Sequence, residues 1–239
     1  MISTSENVGL NDAIDALESL DNYRNWMLEE FGPYLSGEVV EIGAGSGSLS
    51  EKLLPYSTTL DLVEPSSELI GRLQNRVAAH ENISIFNQPA EEWLQQVKTE
   101  SKDSIVMVNV LEHIQDDLAS LKQMWRALHA DGSLLLYVPA LNFLFSKLDE
   151  EHGHFRRYSK SGLKSKVAAA GFKIVKARYV DLLGILPWLV FNKWLKKTEF
   201  NPAMVQLYDR FGIPTTKMVE KFSGAPIGKN ILLVAQKPV

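Results

Sequence analysis

The chain has 239 residues, 45% of them hydrophobic, with a formal net charge of -4 and no cysteine. That is enough apolar material for the core of one domain, or of one domain with an elaboration. The missing cysteines exclude disulfides, thiolate metal sites and a cysteine nucleophile, and the acidic balance argues against nucleic acid as the main partner.

The first eleven residues are polar, residues 1–10 are expected to be loose, and no basic, apolar leader pattern is present. No apolar run approaches the ~20 residues that cross a bilayer. A cytoplasmic protein is expected. Residues 12–31 read as one helix, with Ile14, Leu17, Leu20, Tyr23, Met27 and Leu28 on a broad apolar face and Gly32-Pro33 as its stop. Residues 1–35 would form a helical cover. Strand-like runs then follow at 38–42, 59–64, 83–86, 104–109 and 133–138, separated by helix-like runs at 48–54, 66–79, 90–97 and 116–129. This alternation implies an α/β fold, a parallel sheet with helices on both faces. Ligands of such sheets bind beyond the carboxyl ends of the strands, where Gly43, Glu64, Gln88 and Asn109 converge.

After Ala140 the rhythm breaks. Helix-like runs at 142–148 and 160–170, a strand at 172–180 and an apolar stretch at 180–195 precede a last strand at 230–236. Residues 140–228 are expected to be a substrate-side insertion within a single domain spanning 1–239.

The first loop carries the strongest signal. Val39-Val40-Glu41-Ile42-Gly43-Ala44-Gly45-Ser46-Gly47 is a buried strand running into a glycine-rich turn, where alternate glycines let backbone approach a ligand closely. The helix expected at 48–54 would aim free N–H groups at that ligand. A dinucleotide loop needs a third glycine, and here Leu49 and Ser50 stand after Gly47. Glu41 also suits a cationic ligand group better than a pyrophosphate. Glu64, ending the second strand, is placed to accept hydrogen bonds from ribose hydroxyls. Asp61, on the same strand, competes for that role but falls inside the sheet edge.

At these residues the chain resembles the class I S-adenosylmethionine (SAM) methyltransferases. Glu41 to Gly47 is similar to their first motif and Glu64 to their ribose-binding acid. Asn87 to Glu91 resembles the adenine-side loop, Asp103 to Ile114 the fourth strand and its turn, and Gly132 to Pro139 the fifth strand. The resemblance, closest to bacterial small-molecule members, spans roughly residues 20–180. It implies a Rossmann-like, doubly wound, mostly parallel seven-stranded sheet, with SAM as cofactor and S-adenosylhomocysteine as product. Glu41, Gly43, Ala44, Gly45 and Gly47 would hold the methionine end. Glu64, Pro65 and Ser66 would take the ribose, and Gln88, Pro89, Ala90 and Glu91 the adenine side. Asn109, Val110, Leu111 and His113 would form the turn where methyl group and acceptor meet. Tyr23 and Trp26 would wall the methionine end, unless they simply pack the first helix.

A second cluster, Asp149-Glu150-Glu151-His152-Gly153-His154-Phe155-Arg156-Arg157-Tyr158, resembles a Gly-His-x-Arg-Arg-Tyr segment of a bacterial small-molecule subgroup. His154 is the candidate base, its unperturbed pKa being near ~6.5, with His113 as the alternative. The competing reading of His113 is a helix-start histidine bonded to backbone. His152, Arg157, Tyr158 and Trp188 are candidate acceptor contacts, against the plainer reading of a solvated loop with Arg156 and Arg157 paired to Glu150 or Glu151.

Glu112-His113 with His152 or His154 echoes the ligands of metal-dependent RNA 2′-O-methyltransferases. Their Glu-x-x-Glu-His places an acid where Asn109 stands, and losing a charged ligand weakens a site for a hard cation, so no metal is expected. The apolar run 182–191 is expected to pack as the core of a helical lid. The alternative is contact with a hydrophobic substrate or a membrane surface, with Trp188, Trp194, Lys193, Lys196 and Lys197 at the interface.

The expected function is methyl transfer from SAM to oxygen or nitrogen, less readily carbon, of a small-molecule acceptor. Two rival classes remain: a nicotinamide-dependent oxidoreductase, disfavoured by the missing glycine, and a non-catalytic SAM-binding scaffold at a membrane.

Overall fold

A computed structural model of the chain describes residues 20–197 and 201–239. Residues 1–10, and the part of the expected first helix before residue 20, lie outside the described residues.

Seven strands form one sheet: β1 (Glu38–Ile42), β2 (Thr59–Val63), β3 (Ile83–Phe86), β4 (Lys102–Val108), β5 (Leu128–Pro139), β6 (Lys173–Val180) and β7 (Asn230–Gln236). Their order is β3-β2-β1-β4-β5-β7-β6, with β7 antiparallel to both neighbours and the pairs from β3 through β5 parallel. From β1 the chain winds outward to β2 and β3, then returns to β4 on the other side of β1. That reversal opens a crevice at the carboxyl ends of β1 and β4.

The strands bury both faces, as a sheet covered by helices must. On one face Val40, Ile42, Ile105, Met107, Leu134 and Leu136 pack with Trp93, Leu121, Met124 and Leu163. These last come from α4 (Ala90–Gln96), α5 (Asp117–Ala127) and α7 (Lys160–Ala169). On the other face Val39, Leu62, Val106, Leu135 and Leu232 pack with Met27, Phe31, Leu73 and Ile213. Those belong to α1 (Asp21–Phe31), α3 (Ser67–Val77) and α10 (Ile213–Ser223). Strand alternation puts Glu41 on the same face as Val39, beneath α1.

Three expectations need correction. The helix after the glycine loop covers four residues, α2 (Ser50–Leu53), and tightens into a 3-10 turn at Leu54–Tyr56 around Pro55. The ring of Pro55 removes a backbone donor, and so short a helix adds little dipole to the loop before it. The segment 140–228 is also not one insertion, because α7 and β6 within it complete the sheet and its helical cover. Outside the sheet are a 3-10 turn (Asn142–Leu144) with α6 (Lys147–Glu151), and then α8 (Ile185–Pro187), α9 (Pro202–Leu207) and α10. Two π-helical stretches, Trp188–Trp194 and Tyr208–Gly212, interrupt this second part.

The apolar run does not pack as a core. Among residues 182–191 only Gly184 is buried, Leu183, Leu186 and Pro187 are exposed and the rest are half-buried, while Trp194 (69%) and Leu195 beyond them stand exposed. No helix among the described residues is long and apolar enough to cross a membrane.

Candidate active site

The loop after β1 is held open by its backbone. Gly43, Gly45 and Gly47 have φ of 81°, 57° and 87°, values that L side chains resist. A Cβ on Gly43 would stand 2.1 Å from Cγ2 of Val110, so this glycine lets the β1 and β4 loops touch. A Cβ on Gly45 would meet nothing within 4 Å, so space is left open beside its backbone. The N–H groups of Gly43 and Ala44 donate to the carbonyl of Val63 at 2.8 and 3.1 Å, which ties the loop to the end of β2.

Glu64 closes the arrangement. Its two carboxylate oxygens accept the N–H groups of Gly45 and Ser66, each at 2.8 Å. Each oxygen keeps a second lone pair, and the residue is 6% exposed. Asp61 points elsewhere, into an ion pair with Lys102 at 2.6 Å. Glu41 is buried and accepts the Ser50 hydroxyl at 2.5 Å. Burial pushes its pKa up to about 8, against the lowering pull of Ser50 and of the Arg24 charge.

Beside this loop lies a cavity of about 170 Å³. Its wall takes Gly43 from the β1 end, Pro65 from the β2 end, Pro89, Ala90 and Glu91 from the β3 end, and Val110 and His113 from the β4 end. Four strand ends therefore contribute to one space. Asn109, at the end of β4, holds a left-handed φ of 52° and donates its N–H to the carbonyl of Tyr137 at 2.8 Å. This bend directs the following 3-10 turn, Leu111–His113, across the cavity.

The second cluster is anchored against that turn. The N–H of Phe155 donates to the carbonyl of Glu112 at 2.9 Å. The rings of His113 and His154 meet edge to face with centroids 4.6 Å apart. Partial desolvation, then the neighbouring His154 and His152 rings, lower the pKa of His113 to about 4. His154 Nδ1 lies 2.9 Å from Oδ1 of Asp149. The same carboxylate receives Arg157 in a fork, Nε to Oδ1 at 2.9 Å and Nη2 to Oδ2 at 3.1 Å. It also accepts the N–H of Ser146 at 2.8 Å, completing a capping box at the start of α6. Burial works against the ionised form of Asp149, but these donors prevail and hold its pKa at about 2.

A family model described as "Methyltransferase domain" matches residues 14–177. The chain belongs to the methyltransferase-domain family. It is 30% identical over 106 residues to nodulation protein S of Azorhizobium caulinodans, an alignment covering 43% of this chain and 49% of that protein. It is 29% identical over 133 residues to histamine N-methyltransferase of Xenopus tropicalis, covering 48% and 45%. The chain thus spans about half the length of the curated relatives it matches. Among solved structures, a SAM-dependent methyltransferase from Archaeoglobus fulgidus superposes with a TM-score of 0.63 at 15% identity, over 92% of this chain and 94% of that one. The fold is that of the class I methyltransferases.

The cofactor of such a methyltransferase is SAM, and the residues present fit it. The open backbone at Gly45, the free lone pairs of Glu64 and a cavity shared by four strand ends suit a ligand with a vicinal diol and a long chain. Gly43, Pro65, Pro89, Ala90, Glu91, Val110 and His113 line the cavity, and Gly45, Gly47, Glu64 and Ser66 lie in the loops that frame it. Gln88 and Asn109 are adjacent in the chain to wall residues but stand outside the wall, and Leu111 is buried in the core.

The structure places the remaining candidates differently. Trp26 is 5% exposed and packs in the core against the sheet, away from the cavity wall. The Tyr23 hydroxyl sits in a polar knot, 2.6 Å from the Tyr137 hydroxyl and accepting from Asn230 Nδ2 at 2.7 Å. Arg157 and Tyr158, expected at the acceptor, are both 5% exposed and turned inward. Tyr158 donates to Asp117 at 2.8 Å and Arg157 stacks on Trp188 with a centroid distance of 4.4 Å. The two arginines pair with other acids than Glu150 and Glu151: Arg156 with Asp117 at 2.8 Å, Arg157 with Asp149. His152 is exposed, its Nδ1 2.8 Å from the Leu148 carbonyl. Sequence reasoning gave no separate role to Asp149, Asp181 or Asp209. All three are buried; Asp181 and Asp209 bond to residues distant in the chain and nothing local marks them, whereas Ser146 three residues before Asp149 is a local capping-box signal.

Proposed function

We propose that this methyltransferase moves a methyl group from SAM to a nucleophilic oxygen or nitrogen of a small-molecule acceptor. SAM, when bound, supplies the activated methyl and a good leaving group. The chain's part is to hold the donor, align the acceptor and accept a proton. The observation that carries the reading is the shared cavity: His113 lines the same space as the glycine-loop and adenine-side residues. Through ring contact with His113, His154 and its partner Asp149 stand next to that space. Glu64 would accept the ribose hydroxyls, and the 43–47 loop would hold the methionine portion. The names of the two curated relatives include a small-amine methyltransferase, which agrees with a small acceptor.

An acceptor with an apolar portion fits the exposed Leu186, Trp194 and Leu195 on the segment that packs over Leu144. The test is release of S-adenosylhomocysteine across a panel of hydroxylated, phenolic and amine acceptors with apolar tails. Release that depends on acceptor supports the reading. Tight S-adenosylhomocysteine binding with no turnover on any acceptor would favour a scaffold, and NADH binding without SAM binding would favour an oxidoreductase.

A further inference from the structure

We propose that Glu112, His113 and His154 form a site for one first-row divalent cation of the zinc class, at the His113 end of the cavity. Their ligand atoms all lie within 4.8 Å of one another. Ligand atoms about 2.1 Å from a tetrahedral zinc stand about 3.4 Å apart, so side-chain rotation of roughly 1 Å closes the set.

Glu112 is the decisive residue. It is fully buried, and neither carboxylate oxygen has a hydrogen-bond partner. A buried carboxyl without a partner either keeps its proton or is ionised against a cation or donors that compensate it. The nearby Arg157 is already forked onto Asp149 and also donates to the carbonyl of Ala140 at 3.3 Å. A cation between Glu112 and the two rings would supply what the protein does not.

The surroundings of His154 support the same assignment. Its Nδ1 is held by Asp149, which leaves the other ring nitrogen as the ligand atom. A carboxylate behind a histidine fixes ring orientation and raises ligand basicity, as it does at metal sites. Asp149 is itself fixed by Arg157 and by the Ser146 N–H, so the ring is preorganised. Two imidazoles and one carboxylate are a donor set for zinc or its first-row neighbours, whereas magnesium and calcium prefer all-oxygen ligands. Asn109, which counts against a hard cation, is therefore no obstacle to a borderline one. Three protein ligands leave a coordination position open. His113 lines the cavity, so that position faces it. Resting on the function proposed above, an acceptor hydroxyl bound there would lose its proton to solvent at lower pH than in water.

The full chain, treated with chelator and dialysed, is titrated with ZnCl2, MnCl2 and MgCl2 by calorimetry, and with CoCl2 by visible absorption. One zinc should bind per chain with a Kd tighter than about 10 μM, and magnesium at least about 100-fold more weakly. Glu112→Gln, His154→Ala and His113→Ala should each weaken zinc at least about tenfold, and Asp149→Asn about 10–100-fold. His113 is exposed, so its variant tests the site without threatening the fold. Zinc binding weaker than that limit, or unchanged in Glu112→Gln and His113→Ala, overturns the site. S-adenosylhomocysteine titrated into the same samples separates the two readings. Its binding without zinc binding removes the cation site alone, and zinc binding without it removes the methyl-donor pocket alone.

Discussion

The N–H of Gly45 donates to a carboxylate oxygen of Glu64 at 2.8 Å, joining the glycine loop of β1 to the acid that ends β2. The other oxygen receives the N–H of Ser66, so one side chain fixes the start of the β2 loop and the turn of the β1 loop together. Glu64→Ala removes both anchors and the acceptors offered to a ribose. Hydrogen bonds to a charged group contribute about 1.5–3 kcal/mol, so S-adenosylhomocysteine affinity should fall by about ten- to a hundredfold. Calorimetry reads this directly. An unchanged Kd would remove Glu64 from the cofactor site.

Gly43 and Gly45 should separate stability from affinity. Alanine at 43 carries a left-handed φ and a Cβ at 2.1 Å from Val110 Cγ2, a clash with packed neighbours. It should cost about 1–3 kcal/mol of stability in denaturant melts. Val110→Ala in the same chain should recover part of that cost, because the clash but not the backbone strain is relieved. Alanine at 45 meets nothing within 4 Å, so it should lose only about 1 kcal/mol while weakening S-adenosylhomocysteine binding. Equal effects of the two substitutions on stability would contradict this division.

The alternation of strands and helices and the crevice at the strand ends are legible because local patterns write them. Apolar runs alternating with helix-like runs, glycines at 43, 45 and 47, and the acid Glu64 are sequence-local signals, and the glycines and Glu64 lie just past the carboxyl ends of strands that the fold brings to one crevice. The partners of buried charges were not legible. The sequence places Arg157 at the acceptor, or else with Glu150 or Glu151, yet the capping box at Ser146 turns Asp149 inward, and Asp149 receives the fork. The composition of the apolar run 182–191 points to the core of a helical lid, with Trp194 at the surface only in the alternative reading. The π-helical turn, Trp188–Trp194, instead leaves Trp194 and Leu195 at the surface. Hydrophobicity alone does not say which face of a segment has something to pack against.

The first helix is capped by a residue far along the chain. Asp209 is buried, and its carboxylate accepts the N–H groups of Asn22 at 3.0 Å and Tyr23 at 2.9 Å. The position before α1, Leu20, offers no side-chain cap, so Asp209 supplies from the later helices what local sequence lacks. Asp209→Ala should lower stability by about 1–2 kcal/mol, the usual cost of losing an N-cap. It should also speed proteolysis within residues 201–223 under native conditions. Asp209→Asn, which keeps one acceptor oxygen, should recover most of the loss. Wild-type protection from protease in Asp209→Ala would show that the later helices dock without this contact.

Glu41 should make stability depend on pH in the direction opposite to an exposed carboxylate. Burial pushes its folded pKa up to about 8, and the Ser50 hydroxyl and Arg24 charge only partly offset that. In the unfolded chain a glutamate titrates near ~4.3. Between these values the folded state keeps a proton that the unfolded state has released. The contribution is therefore full below the unfolded pKa and is lost as pH rises through about 8. Glu41→Gln keeps an acceptor for Ser50 and removes the titration. Relative to wild type it should gain stability from pH 4 to pH 8.5, by an amount on the order of a few kcal/mol. Urea melts of both proteins at intervals of half a pH unit would show the wild-type curve falling and the variant curve flatter. Parallel curves would mean that Glu41 is ionised within the fold, with Arg24 supplying the compensating charge.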